Sequence, residues 1–146
     1  MSDVSIRPAT AADQNVIKQM VRDENLDRSS LHWSHFLIAQ DAGAIIGIGQ
    51  IRPYPKCREL GSLVVKKEYR GQHIGEKIIA ALLAQESGDV YLECLRHNET
   101  YYNRAGFYRI PWYQAPMPLK LKSFVGGTLI RLFGYHVIAM KRDRPI

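Results

Sequence analysis

The chain is poor in cysteine, and its two cysteines are not arranged for metal or disulfide chemistry. Cys57 and Cys94 stand far apart and neither belongs to a C-x-x-C pair, so no zinc site, no disulfide framework and no metal is expected. No Gly-Lys-Ser/Thr follows a glycine turn, which removes a Walker-type nucleotidase. There is no Ser-, Gly- or Pro-rich linker and no repeat at a solenoid period, so the 146 residues are expected to form a single compact domain, 1–146, with one core. The one long apolar stretch, Phe124 to Met140, is broken by Arg131 and by Gly134-Tyr135-His136. It is too short and too interrupted to span a bilayer, and no membrane partner is expected. The opening Met-Ser-Asp-Val-Ser has neither the charged nor the apolar region of a signal peptide, so a cytoplasmic protein is the expectation.

What is present is an ordinary globular composition, with 46% hydrophobic and 23% charged residues. The net charge of +6 is partly local: Lys120, Lys122, Arg131, Lys141, Arg142 and Arg144 are opposed in the C-terminal portion only by Asp143. Such a balance fits an anionic partner of any kind, or simply a solvated basic surface.

The pattern along the chain alternates strands and helices. Val4 to Pro8 reads as a strand, and Thr10 or Asp13 can cap a helix over 13–23 with Val16, Ile17, Met20 and Val21 on its apolar stripe. Residues 25–35 are irregular. Phe36 to Ala39 and Ala44 to Ile51 flank Asp41-Ala42-Gly43 as a hairpin, and Glu59 to Val65 has apolar residues on both faces, as a central strand does. A helix follows with Ile74, Ile78, Ile79, Leu82 and Leu83 on one face, closing near Ser87-Gly88. Val90 to Leu95, a short helix over 99–105, Phe107 to Ile110 and Tyr135 to Lys141 complete the series, with a further helix possible over 119–133. The expected class is α/β (α+β): a mixed, mostly antiparallel twisted sheet with helices on both faces. The early hairpin breaks the alternation that a doubly wound parallel sheet requires.

The organising stretch is Val64 to Ile79, a buried strand that passes through a basic, glycine-bearing turn into a helix N-terminus. Unpaired backbone N–H groups there, beside the positive end of the helix dipole, suit a phosphate. Arg70-Gly71-Gln72-His73-Ile74-Gly75 resembles the (Q/R)-x-x-G-x-(G/A) pyrophosphate loop of the GNAT superfamily of acetyl-CoA-dependent N-acetyltransferases, with His73 where that pattern has glycine. The resemblance extends to Ile6-Arg7-Pro8-Ala9-Thr10, to Ala44 to Gln50, to Glu59-Leu60-Gly61-Ser62-Leu63-Val64-Val65, and to Tyr102-Asn103-Arg104-Ala105-Gly106-Phe107, which is similar to the family's Y-x-x-x-G-F.

The resemblance implies the GNAT fold, acetyl-CoA as co-substrate and a primary amine as acceptor, either a small molecule or a protein. It implies that Arg70, Gly71, Gln72, His73, Ile74 and Gly75 hold the pyrophosphate. It further implies that main-chain groups near Leu63 and Val65 pair with the pantetheine arm, with a bulge at Val64, and that Asn98 contacts the same arm from an unusual spacing. Tyr102 is implied as general acid: a phenol with a pKa of about 10 can donate to a departing thiolate of about 8.5. Adjacent Tyr101 points about 100° away on a helix. Glu59 is the candidate general base, with Glu93 and His97 in reserve. The insertion 111–134 is expected to be a lid over the acceptor or a dimer surface, leaving a monomer or a homodimer open. Two other readings stand beside this one, a catalytically silent acyl-CoA sensor and a basic nucleic-acid module; nucleic acid is disfavoured because the aromatics near Tyr101 already fit the acetyltransferase motif. A cysteine hydrolase built on Cys94 and His97 is weaker still, since a lone cysteine is more often a small buried hydrophobe.

Overall fold

A computed structural model describes residues 3–121 and 136–146. Its elements are β1 (Val4–Pro8), α1 (Gln14–Asp23), β2 (Phe36–Asp41), β3 (Ala44–Pro53), β4 (Arg58–Val65), α2 (Ile74–Leu83), β5 (Val90–Leu95), α3 (Glu99–Asn103), β6 (Tyr108–Ile110) and β7 (Val137–Arg142). The fold is mixed α/β, and the strands follow the order β1-β2-β3-β4-β5-β7-β6. The β1–β2, β2–β3, β5–β7 and β6–β7 pairs are antiparallel, and β4 meets β5 in parallel at Glu59↔Tyr91. Much of this agrees with the sequence reading. The expected helix over 119–133, and most of the 111–134 insertion with it, lies outside the described residues beyond position 121.

The chain divides into two compact units, one formed by Met1–Arg52 with Leu60–Gln85 and the other by Pro53–Glu59 with Glu86–Ile146. In the first, β3 is covered on both faces. On one side Ile17, Met20 and Val21 of α1 are buried against Phe36, Ile38, Ile48 and Val64. These three occupy one stripe at i, i+3 and i+4, and Val16, expected on the same stripe, falls at its edge and is 38% exposed. On the other side Ile78 and Leu82 of α2 come down over Gly47 and Gly49, where an added Cβ at Gly49 would lie 2.7 Å from Ile78 Cγ2. Ile74, Ile78, Ile79, Leu82 and Leu83 are all buried, as their spacing requires. Burying such side chains contributes roughly 1.5–3 kcal/mol each. α2 closes at Leu83, earlier than the Ser87-Gly88 signal suggests, because Gln85 N–H turns back to Leu82 O at 3.2 Å and tightens the last turn.

In the second unit Cys57, Ile110, Ala115, Leu119 and Ala139 form the buried cluster, with Tyr54 and Tyr91 packed on it. Strand alternation divides its β5–β7 ladder. Tyr91 and Glu93 share one face with Glu59, the parallel partner of Tyr91. Leu92 and Cys94 share the other face with Met140, whose Sδ lies 3.8 Å from Cys94 Sγ.

The entry to α1 is fixed by one charge pair. Arg7 Nη1 donates to Asp13 Oδ2 at 2.8 Å and Nη2 to Oδ1 at 3.1 Å, while Asp13 Oδ2 also accepts the Thr10 backbone N–H at 2.8 Å. Of the two caps the sequence allowed, Asp13 reaches back to Thr10 as the acidic half of a capping box. Hydrogen bonds from Arg7 hold its carboxyl at about 2, well below the usual carboxylate range. A depressed carboxylate stabilises the fold above its unfolded pKa of about 4, and this is lost as pH falls through the folded value. Asp13→Asn is therefore expected to cost about 1–2 kcal/mol at pH 7. In urea denaturation the gap between the two proteins should narrow between about pH 4 and pH 2.

Candidate functional site

The turn after β4 begins with a short 3-10 segment, Lys67–Tyr69, whose closing bond runs from Arg70 N–H to Lys67 O at 3.2 Å. Gly71 then takes φ 80 and His73 takes φ 62, ψ 22, so the chain enters α2 through two left-handed residues. His73 is the N-cap of α2 and supplies no side-chain capping bond, and the first helical bond is Lys77 N–H to His73 O at 3.1 Å. The amides of the first turn therefore have no acceptor within the helix. Nothing lies within 4 Å of a Cβ added at Gly71, so the loop has an open side. Ile74 and Gly75 are buried and offer a ligand only their main chain.

The anomaly of the sequence, a histidine in a glycine position, thus has a conformational answer. His73 adopts the backbone that glycine would favour, at the strain cost of a non-glycine residue with positive φ. Its imidazole turns outward, 71% exposed, with Nδ1 3.0 Å from Glu76 Oε2. The ring points along the first turn of the helix and leaves the backbone cradle uncrowded. Arg70 is held at the start of the loop: Nε donates to Val65 O at 2.9 Å and Nη2 to Glu24 Oε1 at 3.0 Å. Its guanidinium secures the end of β4 to the end of α1. Gln72 is exposed.

β4 approaches this loop with a backbone irregularity. Ser62 has φ 52, and Gly61 and Ser62 both face Arg52: a Cβ on Gly61 would lie 2.6 Å from Arg52 Nη1, and Arg52 Nη2 donates to Ser62 Oγ at 3.1 Å. The left-handed Ser62 marks an irregularity of β4 two residues before Val64, where the resemblance implies a bulge. Val64 is buried in the core against α1, and Leu63 faces α2 through Gly49. Ser62 Oγ also accepts from Gln50 Nε2 at 2.9 Å. This buried Gln50–Ser62–Arg52 group is absent from the motif-based reading. The available signal was periodicity, because Gln50 and Arg52 continue the buried register of Ile46 and Ile48.

The second unit holds Tyr102, Asn98 and Glu59. Tyr102 sits on α3, where Ala105 and Phe107 N–H both donate to its carbonyl, at 3.0 and 3.2 Å. Gly106, at φ 92, turns the chain back so that the Phe107 ring stacks edge-on to Tyr102 with centroids 6.2 Å apart. That return explains the spacing of tyrosine, glycine and phenylalanine in the motif. Tyr101 meets Tyr102 edge-on at 5.1 Å. Burial, with smaller contributions from Cys94 and Tyr101, pushes the Tyr102 phenol up, so it stays protonated throughout the neutral range. Burial likewise pushes the Cys94 thiol up to about 11, which leaves no thiolate for nucleophilic catalysis near neutral pH.

Glu59 is 4% exposed, a buried carboxylate near the start of β4. It shares a face with Tyr91 and Glu93, whereas Cys94, beside Tyr102, is on the opposite face. Asn98 begins α3 without a side-chain capping bond, and His97 is exposed. Among the described residues no group of three His, Cys, Asp or Glu could hold a metal ion, and no helix is long and apolar enough to cross a membrane.

Residues 32–109 match the model of the acetyltransferase (GNAT) domain. Among solved structures, the chain is similar to N-acetylglutamate synthase from Neisseria gonorrhoeae complexed with coenzyme A and N-acetyl-glutamate, at 19% identity and a TM-score of 0.77, covering 100% of this chain and 36% of that one. It thus spans about a third of the length of that protein. It is also similar to Rv2747 from Mycobacterium tuberculosis in complex with CoA, at 18% identity, a TM-score of 0.74, and coverage of 97% and 99%. An acetyltransferase of the GNAT family from Staphylococcus aureus Mu50 aligns at 16% identity with a TM-score of 0.69, covering 97% and 99%. At these identities the likeness is one of fold. No curated protein sequence matches the chain.

The left-handed N-cap can be tested directly. His73→Gly is expected to leave stability within about 0.5 kcal/mol of the parent or to raise it, because glycine takes φ 62 without strain. His73→Val, β-branched in the same backbone, should cost about 1–2 kcal/mol, read by thermal or urea unfolding.

Proposed function

The chain belongs to the GNAT acetyltransferase family, and on that premise we propose that it transfers an acetyl group from acetyl-CoA to a primary amine by direct attack on the thioester. The observation that carries the proposal is the loop itself. Gly71 and His73 both adopt positive φ, the N-terminus of α2 has no side-chain cap, and the His73 ring is turned aside. The residues present therefore fit a pyrophosphate at the backbone amides of 71–75, which need neither the Arg70 side chain nor a glycine at 73.

Acetyl-CoA, when bound, supplies an activated acyl group and a thiolate leaving group. The tasks left to the protein are to remove a proton from the acceptor ammonium, polarise the thioester carbonyl and return a proton to sulfur. Tyr102 serves the last: a phenol kept neutral by burial has its proton available at every working pH. Glu59 is the proposed base, with Glu93 on the same face two residues along β5 from Tyr91. Asn98, half-buried one turn before Tyr102, is the proposed contact to the pantetheine arm. A cytoplasmic protein acting on a small or protein-borne amine completes the reading; no observation chooses between these acceptors.

Isothermal titration with acetyl-CoA, followed by thiol release against a panel of amines, is the test. Saturable binding with amine-dependent thiol release is expected. Tyr102→Phe should lower kcat about 10²-fold or more with little change in acetyl-CoA binding. Because the phenol is displaced upward, the parent's activity should show no loss from this group below about pH 10. Absence of CoA binding at low salt would overturn the enzyme reading; unchanged turnover in Tyr102→Phe would overturn the assigned acid.

A further inference from the structure

The first unit carries a pocket whose lining residues have no catalytic or cofactor role in the acetyl-transfer reading. It has a volume of about 470 Å³ and is lined by Gln14, Lys18, Arg22, Arg28, Leu31 and His32. Gln14, Lys18 and Arg22 are spaced by four and form one stripe along α1. The opposite wall is residues 28–32, held over that stripe by Gln14, whose Nε2 donates to Leu31 O at 2.6 Å and whose Oε1 accepts from Trp33 N–H at 2.9 Å. Both ends of the Gln14 amide are used in building the wall, so the pocket is a constructed feature of the fold. His32 is positioned in turn by its own bond, Nδ1 to Ser34 Oγ at 2.7 Å.

The charge lining this pocket is of one sign. Lys18, Arg22 and Arg28 are exposed, and among the described residues none of them meets a carboxylate at ion-pair distance. The nearby acids are committed elsewhere. Glu24 accepts from Arg70 at 3.0 Å. Asp27 caps Ser29 N–H at 2.9 Å and lies 3.8 Å from the buried Arg52 guanidinium. Asp23 is about 100° around the helix from Arg22. The negative end of the α1 dipole accounts for Arg22, in the last turn, but for neither Lys18 nor Arg28. Three cations gathered around one concavity repel one another unless an anion joins them. Two guanidinium forks and an ammonium present the donors that bind oxyanions, and Leu31 contributes an apolar floor.

We propose that this pocket binds a small molecule carrying at least two oxyanion groups, phosphoryl or carboxylate. None of the lining residues belongs to the 70–75 loop, and the proposal stands whether or not the chain transfers acetyl groups. Titration of the full chain with pyrophosphate, and in parallel with citrate, followed calorimetrically at low and at moderate ionic strength, tests it. At least one of the two should bind saturably, and the preferred probe identifies the oxyanion class. Arg22→Gln together with Arg28→Gln should raise its Kd at least tenfold. Lys56→Gln together with Lys120→Gln removes the same charge elsewhere and should change the Kd less than twofold. All four side chains are exposed, and circular dichroism checks that both variants fold. Binding of neither probe overturns the proposal. So does equal weakening in the two double variants, which would mark diffuse attraction, or an isotherm fully retained in Arg22→Gln/Arg28→Gln, which would place the anion at the 70–75 loop.

Discussion

The covering of β3 on both faces is the constraint from which the first unit is built. A strand flanked by α1 on one side and α2 on the other has no solvent face on which to place a polar side chain. Ile48 meets this demand with hydrocarbon on the α1 side, joined at the strand's start by Ile45, and Gly47 and Gly49 by offering α2 no side chain at all. Gln50 and Arg52 sit in the same buried register as Ile46 and Ile48, and their polar groups must be answered locally. The answer is the Ser62 hydroxyl, which accepts from both. The Ser62 that carries this hydroxyl has φ 52, a strained backbone for a non-glycine residue. It lies just upstream of Leu63 and Val65, the main-chain positions that the resemblance implies meet the pantetheine arm.

The close seat of α2 has a second consequence at its N-terminus. With Ile74 and Gly75 buried, the helix begins where packing places it, and the turn from β4 must reach that point in a few residues. Two left-handed residues achieve it. Glycine at position 71 adopts such a backbone at no steric cost, whereas at position 73 a histidine adopts it at some cost in strain. A left-handed N-cap turned outward leaves the first-turn amides free of a side-chain cap, which is the property an anion site requires. The strain and the uncapped first turn therefore have a common origin in the packing of the helix.

In the second unit, strand alternation and one chain reversal set where Tyr102 and Glu59 lie. Tyr102 is fixed in ring contact with Phe107 by the reversal at Gly106, and its burial is what keeps its proton on. Glu59 is brought level with Tyr91 by one parallel backbone pair. Glu59 shares a face with Tyr91 and Glu93 while Cys94, beside Tyr102, is on the other, a relation invisible in a list of motif residues.

The sequence by itself determined the order of the elements, the apolar stripes of α1 and α2, the glycine-bearing turn and the tyrosine motif, because each is a matter of local spacing and of side chains that must be hidden. Periodicity could not say that Val16 falls outside its stripe, since the width of a buried face is set by the partner that covers it. Tertiary structure alone decided that His73 adopts glycine's backbone and turns its ring to Glu76, that Arg70 clasps Glu24 and Val65, and that Glu59 is buried. It also decided that Gln14 folds residues 28–32 over Lys18 and Arg22. These outcomes depend on groups distant in sequence meeting in space, where one hydrogen bond or one close approach chooses between conformations that the local chain allows equally.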